Sequence, residues 1–371
     1  MFCYACGKEI TPSNRSDEHI IPNAIGGRLK SKSLLCKQCN SDFGDSIDSE
    51  LSRQLNHIGN MLNIKRDRGN PQPIKGIYNK TGEQIILEPG GKPSMPKPVI
   101  TEEANGDKKC VHVTARSVGE AKTILKGLNK KYPKINVEET LKNAEMKRKY
   151  LDDEVHYSTD IGGEESFRSV CKTSVSFYMH TGGKREYIQD LIPYIKGDIE
   201  IDRVYFFYDE EVISKDNGQI IHGLVLRGNS REKVLYMYVE YFNAFKFLVL
   251  LNDNYQGVNV NESYVFDLLN QAEIEPAVTL NLTRARIIRA ITEKTLPIEK
   301  MRESLNQIMP VILDKQRKEV ISDFASRALE NSLMKYPEGV LITEEMINEL
   351  TREFMKEITP WLIHILKKND D

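Results

Sequence analysis

The feature that most restricts this chain is a set of two short cysteine pairs, Cys3-Tyr4-Ala5-Cys6 and Cys36-Lys37-Gln38-Cys39. Four thiolates at this spacing can close a tetrahedron around Zn²⁺. The two tight knuckles then clamp the ends of a segment too small to bury a core of its own. With sulfur in all four positions, no place remains for water or substrate, so the zinc is expected to be structural.

Between the pairs lies Asp17-Glu18-His19-Ile20-Ile21-Pro22, and Asn40 follows the last cysteine. A histidine beside two carboxylates, with an asparagine close to a zinc knuckle, offers a base and oxygen donors from one short stretch. Hard cations such as Mg²⁺ or Mn²⁺ prefer oxygen, which Glu18 or Asp17 and the amide oxygen of Asn40 can provide. The outline is that of a hydrolytic site with a second, catalytic divalent cation near His19.

These residues resemble the HNH family of ββα-metal nucleases. The resemblance rests on Cys3, Cys6, Glu18-His19-Ile20-Ile21-Pro22, Gly26-Gly27, Leu34-Leu35-Cys36, Cys39 and Asn40, and it is confined to the N-terminal module. It implies that His19 is the general base that polarises the attacking water. Glu18 and Asn40 would then hold one divalent cation against the scissile phosphate. The sequence departs from the family at the middle position, where Ser31 stands in place of the usual Asn that orients the histidine; Asn23 is the candidate substitute. A four-cysteine ribbon that only binds nucleic acid or protein is the bland alternative, but such a ribbon does not require a carboxylate-histidine pair in register with both knuckles.

Composition adds limits. Among 371 residues the net charge is −2, so DNA, or RNA, must be met by local patches. Arg28, Lys30, Lys32 and Lys37 form one such patch beside the candidate site, where they could follow phosphates or merely solvate a loop. A second basic stretch contains Lys126, Lys130, Lys131, Lys147, Arg148 and Lys149, and a third is Arg284, Arg286 and Arg289. The two remaining cysteines, Cys110 and Cys171, read as buried apolar residues. This cysteine usage suits a reducing cytoplasm. With a zinc ligand expected at residue 3, no signal peptide is expected, and no apolar run is long enough for a membrane span.

The expected fold class is α+β. Residues 1–68 form the zinc-stapled module, 69–109 a β-rich connecting segment, 110–278 an α+β domain with an antiparallel sheet, and 279–371 a helical region. Apolar positions at Phe43, Ile47, Leu51, Leu55, Ile58 and Leu62 predict one amphipathic helix after Asn40, with Asp45 and Asp48 as exposed acids suiting its dipole. His57 is expected in the core or on the surface, away from any ligand set. Strands are predicted over 202–208, 220–227, 233–241 and 244–251, with helices packed on one face of the sheet and aromatic side chains in its core. The C-terminal helices are expected to break at Pro297, Pro310, Pro337 and Pro360. The region after residue 69 is the expected place for target selection, a regulatory ligand or a homo-oligomer contact. An N-terminal nuclease joined to a larger unmatched region resembles restriction or phage-defence effectors.

Overall fold

The computed structural model describes residues 1–105, 108–148, 150–293 and 296–369. The fold mixes helices with antiparallel sheets. The chain divides into two compact units that do not follow its linear order: Met1–Gln72 with Thr159–Lys315, and Pro73–Ser158 with Gln316–Asp371. The N-terminal module thus shares a unit with the large sheet instead of forming a separate domain. The physical reason is a common core, in which Leu51 and Leu55 of the module join Val170, Tyr241 and Phe245.

The module begins with the first cysteine knuckle, followed by β1 (Glu18–His19), β2 (Lys30–Ser31), α1 (Lys37–Asp45) and α2 (Ile47–Met61). The two strands pair antiparallel, with Glu18 opposite Ser31 and His19 opposite Lys30. Their connection turns back through Gly26, at φ 93°, and Gly27. A Cβ on Gly27 would lie 1.9 Å from the carbonyl oxygen of Ile21, so only glycine permits this return path. The single helix expected after Asn40 is two helices, broken at Ser46 (φ −111°, ψ −96°). The apolar spacing survives the break because Phe43 and Ile47 both still reach the core.

The sheet of the first unit has six antiparallel strands in the order Ala272–Ile274, Val260–Asp267, Ile221–Asn229, Val234–Tyr241, Phe245–Asn252 and Val204–Phe206. Every residue of Val234–Tyr241 is buried. Leu235, Met237, Val239 and Tyr241 face the core shared with α2 and the helix Glu164–His180. Val234, Tyr236 and Tyr238 face a second core that includes Ile287 of the helix Arg284–Glu293. Both faces of the sheet are therefore covered, not one as expected. A strand apolar at consecutive positions requires this. The strand aromatics serve these cores.

In the second unit, strands Lys92–Ser94, Gln84–Glu88, Ile74–Tyr78 and Val155–His156 form a sheet in that order, and Val99–Asn105 pairs with Lys108–Thr114. Ser117 caps the helix Val118–Lys131 by accepting the N–H of Glu120. The helix Glu344–Asn369 passes through Pro360, and Ile298–Ser332 passes through Pro310. Both run on where breaks were expected, since a proline removes one ladder bond and long packed helices can carry that loss. Cys171 is buried as expected, and burial pushes its thiol up to about 12. Cys110 instead lies exposed on a two-stranded hairpin that leaves it uncovered. No described helix is long and apolar enough to cross a membrane.

Candidate metal centre and active site

The sulfur atoms of Cys3, Cys6, Cys36 and Cys39 all lie within 4.8 Å of one another. Zn–S bonds of about 2.3 Å in a tetrahedron put sulfurs about 3.8 Å apart. Sγ of Cys6 and Sγ of Cys36 are separated by 3.8 Å, so the four residues fit such an ion. Backbone contacts preset the cluster: Tyr4 N–H donates to Leu34 O at 3.1 Å, and Cys3 N–H to Lys8 O at 2.8 Å. Cys36 is the N-cap of α1, which places Cys39 and Asn40 in its first turns. The buried Tyr4 hydroxyl meets Ser176 Oγ at 2.9 Å, fastening the knuckle to the helix Glu164–His180.

Residues 3–56 match the family model described as HNH endonuclease. The N-terminal module is of the HNH type. No curated protein and no solved structure matches the chain. An HNH module points to a nuclease, a metal-dependent enzyme class that binds nucleic acid.

Successive side chains of a strand point to opposite faces, and that alternation separates the two central residues of this HNH module. Glu18 and Ile20 are buried, whereas Asp17 is exposed and His19 partly so. Nε2 of His19 lies 2.9 Å from Oδ2 of Asp67. The same carboxylate receives Lys30 Nζ at 2.7 Å and pairs with the Arg28 guanidinium. Asn23 Oδ1 accepts the backbone N–H of Asp67 at 2.9 Å. Asn23 therefore reaches the histidine through Asp67, while Ser31 bonds Ser33 instead. Partial burial lowers the His19 pKa from the usual histidine value, against the opposing hydrogen bond and charge of Asp67.

Glu18 departs from its expected place beside an open cation. Its carboxylate is ion-paired with Lys172, which also meets Asp48 Oδ2 at 2.7 Å. Ser169 Oγ donates to Asp48 at 2.6 Å. Glu18 and Lys172 are each 1% exposed. Burial raises the pKa of Glu18 to about 7, with Lys172 pulling it down and Asp48 pushing it up. Glu18 thus does not fit a catalytic cation in this geometry, because its oxygens point inward to an ammonium. Asp48 also differs from expectation, being a buried partner of that ammonium instead of an exposed acid.

Asp17, Lys37 and Asn40 lie nearer the surface. Asp17 is 3.7 Å from Lys32, and Asn40 is partly exposed in α1. Lys37 is exposed. His57 is buried, with Nδ1 2.8 Å from Gln54 O. Arg286 pairs with Glu210 at 3.1 Å, Arg284 donates to Asp253 O and Arg289 lies 3.7 Å from Glu293, so all three of these arginines have protein partners. Lys131 and Arg148 pair with Glu102 and Glu357; Lys149 lies outside the described residues. Asp67 and Lys172 were not singled out by sequence. Asp67 sits in a charged Lys65-Arg66-Asp67-Arg68 run with no visible link to His19, and Lys172 lies far along the chain in a helix.

Proposed function

We propose that the chain is an HNH endonuclease that hydrolyses phosphodiester bonds of DNA, with His19 as the base. The observation that supports this reading is that His19 is partly exposed next to the buried Glu18, with Nε2 on the Asp67 carboxylate that Arg28 and Lys30 also meet. A neutral imidazole accepts the proton of a water as that water's oxygen bonds to phosphorus and the bond to the 3′ oxygen breaks. Arg28 has five N–H donors and Lys30 three, so each keeps hydrogen-bonding capacity for phosphate beyond its contact with Asp67. Lys32 and Lys37, both exposed, are further candidates for phosphate contact.

Of the oxygen donors expected for a catalytic Mg²⁺ or Mn²⁺, Asp17 is exposed to solvent and Asn40 partly so, whereas Glu18 is buried. Such an ion, when bound, supplies positive charge against the phosphate oxygens. Backbone contacts of this kind carry no sequence information, so selectivity falls to the residues beyond the module, as in a restriction or phage-defence effector.

Purified protein incubated with plasmid and Mg²⁺ or Mn²⁺ is expected to nick it, and a parallel RNA substrate tests the alternative polymer. The inward Glu18 favours a second reading, a zinc-knuckle adaptor that binds nucleic acid without cutting it. Binding without product under both metals would select that reading.

A further inference from the structure

We propose that Asp67, outside the segment matched by the HNH family, is the positioning residue that fixes the tautomer of His19 as Nε2–H and leaves Nδ1 as the proton acceptor. This deepens the nuclease reading and rests on it for the role of His19. The inference stands on how Asp67 is held. Its carboxylate faces His19 Nε2 at 2.9 Å and Lys30 Nζ at 2.7 Å, and it also pairs with Arg28. Two cations on one carboxylate keep it ionised, and an ionised carboxylate only accepts hydrogen bonds. The ring nitrogen facing it must then be the donor, and in a neutral imidazole the other nitrogen carries the lone pair.

The geometry is supported from behind. Asn23 Oδ1 accepts Asp67 N–H at 2.9 Å, tying the carboxylate's backbone to the turn between β1 and β2. Strand pairing sets Lys30 directly across from His19. Ser31 itself is engaged with Ser33 at 3.0 Å. A histidine and an aspartate 48 positions apart in the chain are thus held by three independent contacts to one carboxylate and one to its backbone.

The test uses the full-length, zinc-loaded protein with ¹⁵N-labelled histidine, comparing wild type with Asp67→Asn, Asp67→Glu and Asn23→Ala. His19→Ala assigns the ring signals. Long-range proton–nitrogen spectra are expected to show His19 as the Nε2–H tautomer in wild type, and a mixed or Nδ1–H ring in Asp67→Asn. In plasmid nicking, Asp67→Asn is expected to lower kcat on the order of a hundredfold while KM changes less than about threefold. Asp67→Glu should recover part of that loss. Asn23→Ala, which keeps Asp67 but releases its backbone so that the carboxylate is no longer held against Nε2, should shift the tautomer in the same direction by less, and it serves if Asp67→Asn loses zinc or helical content. An unchanged His19 tautomer in both variants overturns the proposal. A shifted tautomer in a protein that cuts neither DNA nor RNA supports the positioning role and overturns the nuclease reading instead.

Discussion

Glu18 and His19 are adjacent in β1 and serve opposite sides of it: Glu18 pairs with the buried ammonium of Lys172, while His19 holds Asp67 near the surface. One strand thus ties the HNH module to its supporting helix and sets His19 against Asp67. The pairing of Glu18 is a folding contact, and it adds to the common core that joins the module to the rest of its unit.

Removal of Lys172 tests that contact. Lys172→Ala leaves Glu18 and Asp48 buried without a counter-ion, a situation that costs about 3–5 kcal/mol. Urea unfolding should show the loss. Glu18→Gln, which keeps one carboxylate on the ammonium, is expected to cost less. Equal stability of Lys172→Ala and wild type would contradict the buried ion pair.

His222 predicts an acid-sensitive core. It is fully buried, with Nε2 2.8 Å from Ile25 O, and Nδ1 accepting the N–H of Phe242 at 3.3 Å. Burial lowers its pKa to about 4, against the bonding of Ile25 O, which raises it. The unfolded chain, with its histidine near 6.5, binds a proton that the folded chain refuses between those values. The contribution of His222 is complete above pH 6.5 and is lost as pH falls towards 4, by on the order of 3 kcal/mol. Stability measured from pH 7 to 4.5 should fall less steeply in His222→Gln than in wild type.

The zinc site should be required for folding of the module. Cys36→Ser is expected to lower bound zinc from one ion per chain to a small fraction and to expose the Tyr4 knuckle to proteolysis. Metal analysis and limited proteolysis read both effects.

Gly27 sets the return of β2 onto β1. In Gly27→Ala the new methyl meets the carbonyl oxygen of Ile21, and the clash is expected to cost more than about 2 kcal/mol and to displace Arg28 and Lys30 from Asp67. A melting temperature equal to wild type would contradict the close approach.

What could be read in the sequence divides along a physical line. Cys3, Cys6, Cys36 and Cys39 were legible because metal chelation needs particular residues at short spacings, and the structure gathers them. The strands around Tyr205, Leu224, Tyr238 and Leu248 were legible because β-branched and aromatic residues cluster in them. The side on which Glu18 would fall was not, since an acid beside a histidine looks the same whether it faces solvent or an ammonium 154 positions away. The Asp67–His19 contact was hidden for the same reason: hydrogen-bond partners brought together by tertiary folding leave no spacing signature. Val260–Asp267 and Ala272–Ile274 escaped because their polar residues, Asn261, Glu262, Ser263 and Glu273, dilute the strand pattern at that side of the sheet.

The most direct test is plasmid nicking by zinc-loaded wild type and His19→Ala, each with Mg²⁺ or Mn²⁺ and with chelator controls. Nicking by wild type that is abolished in His19→Ala, with zinc content and fold retained, is the predicted result. Full cleavage by His19→Ala would contradict the assignment of the base and with it the account of this site.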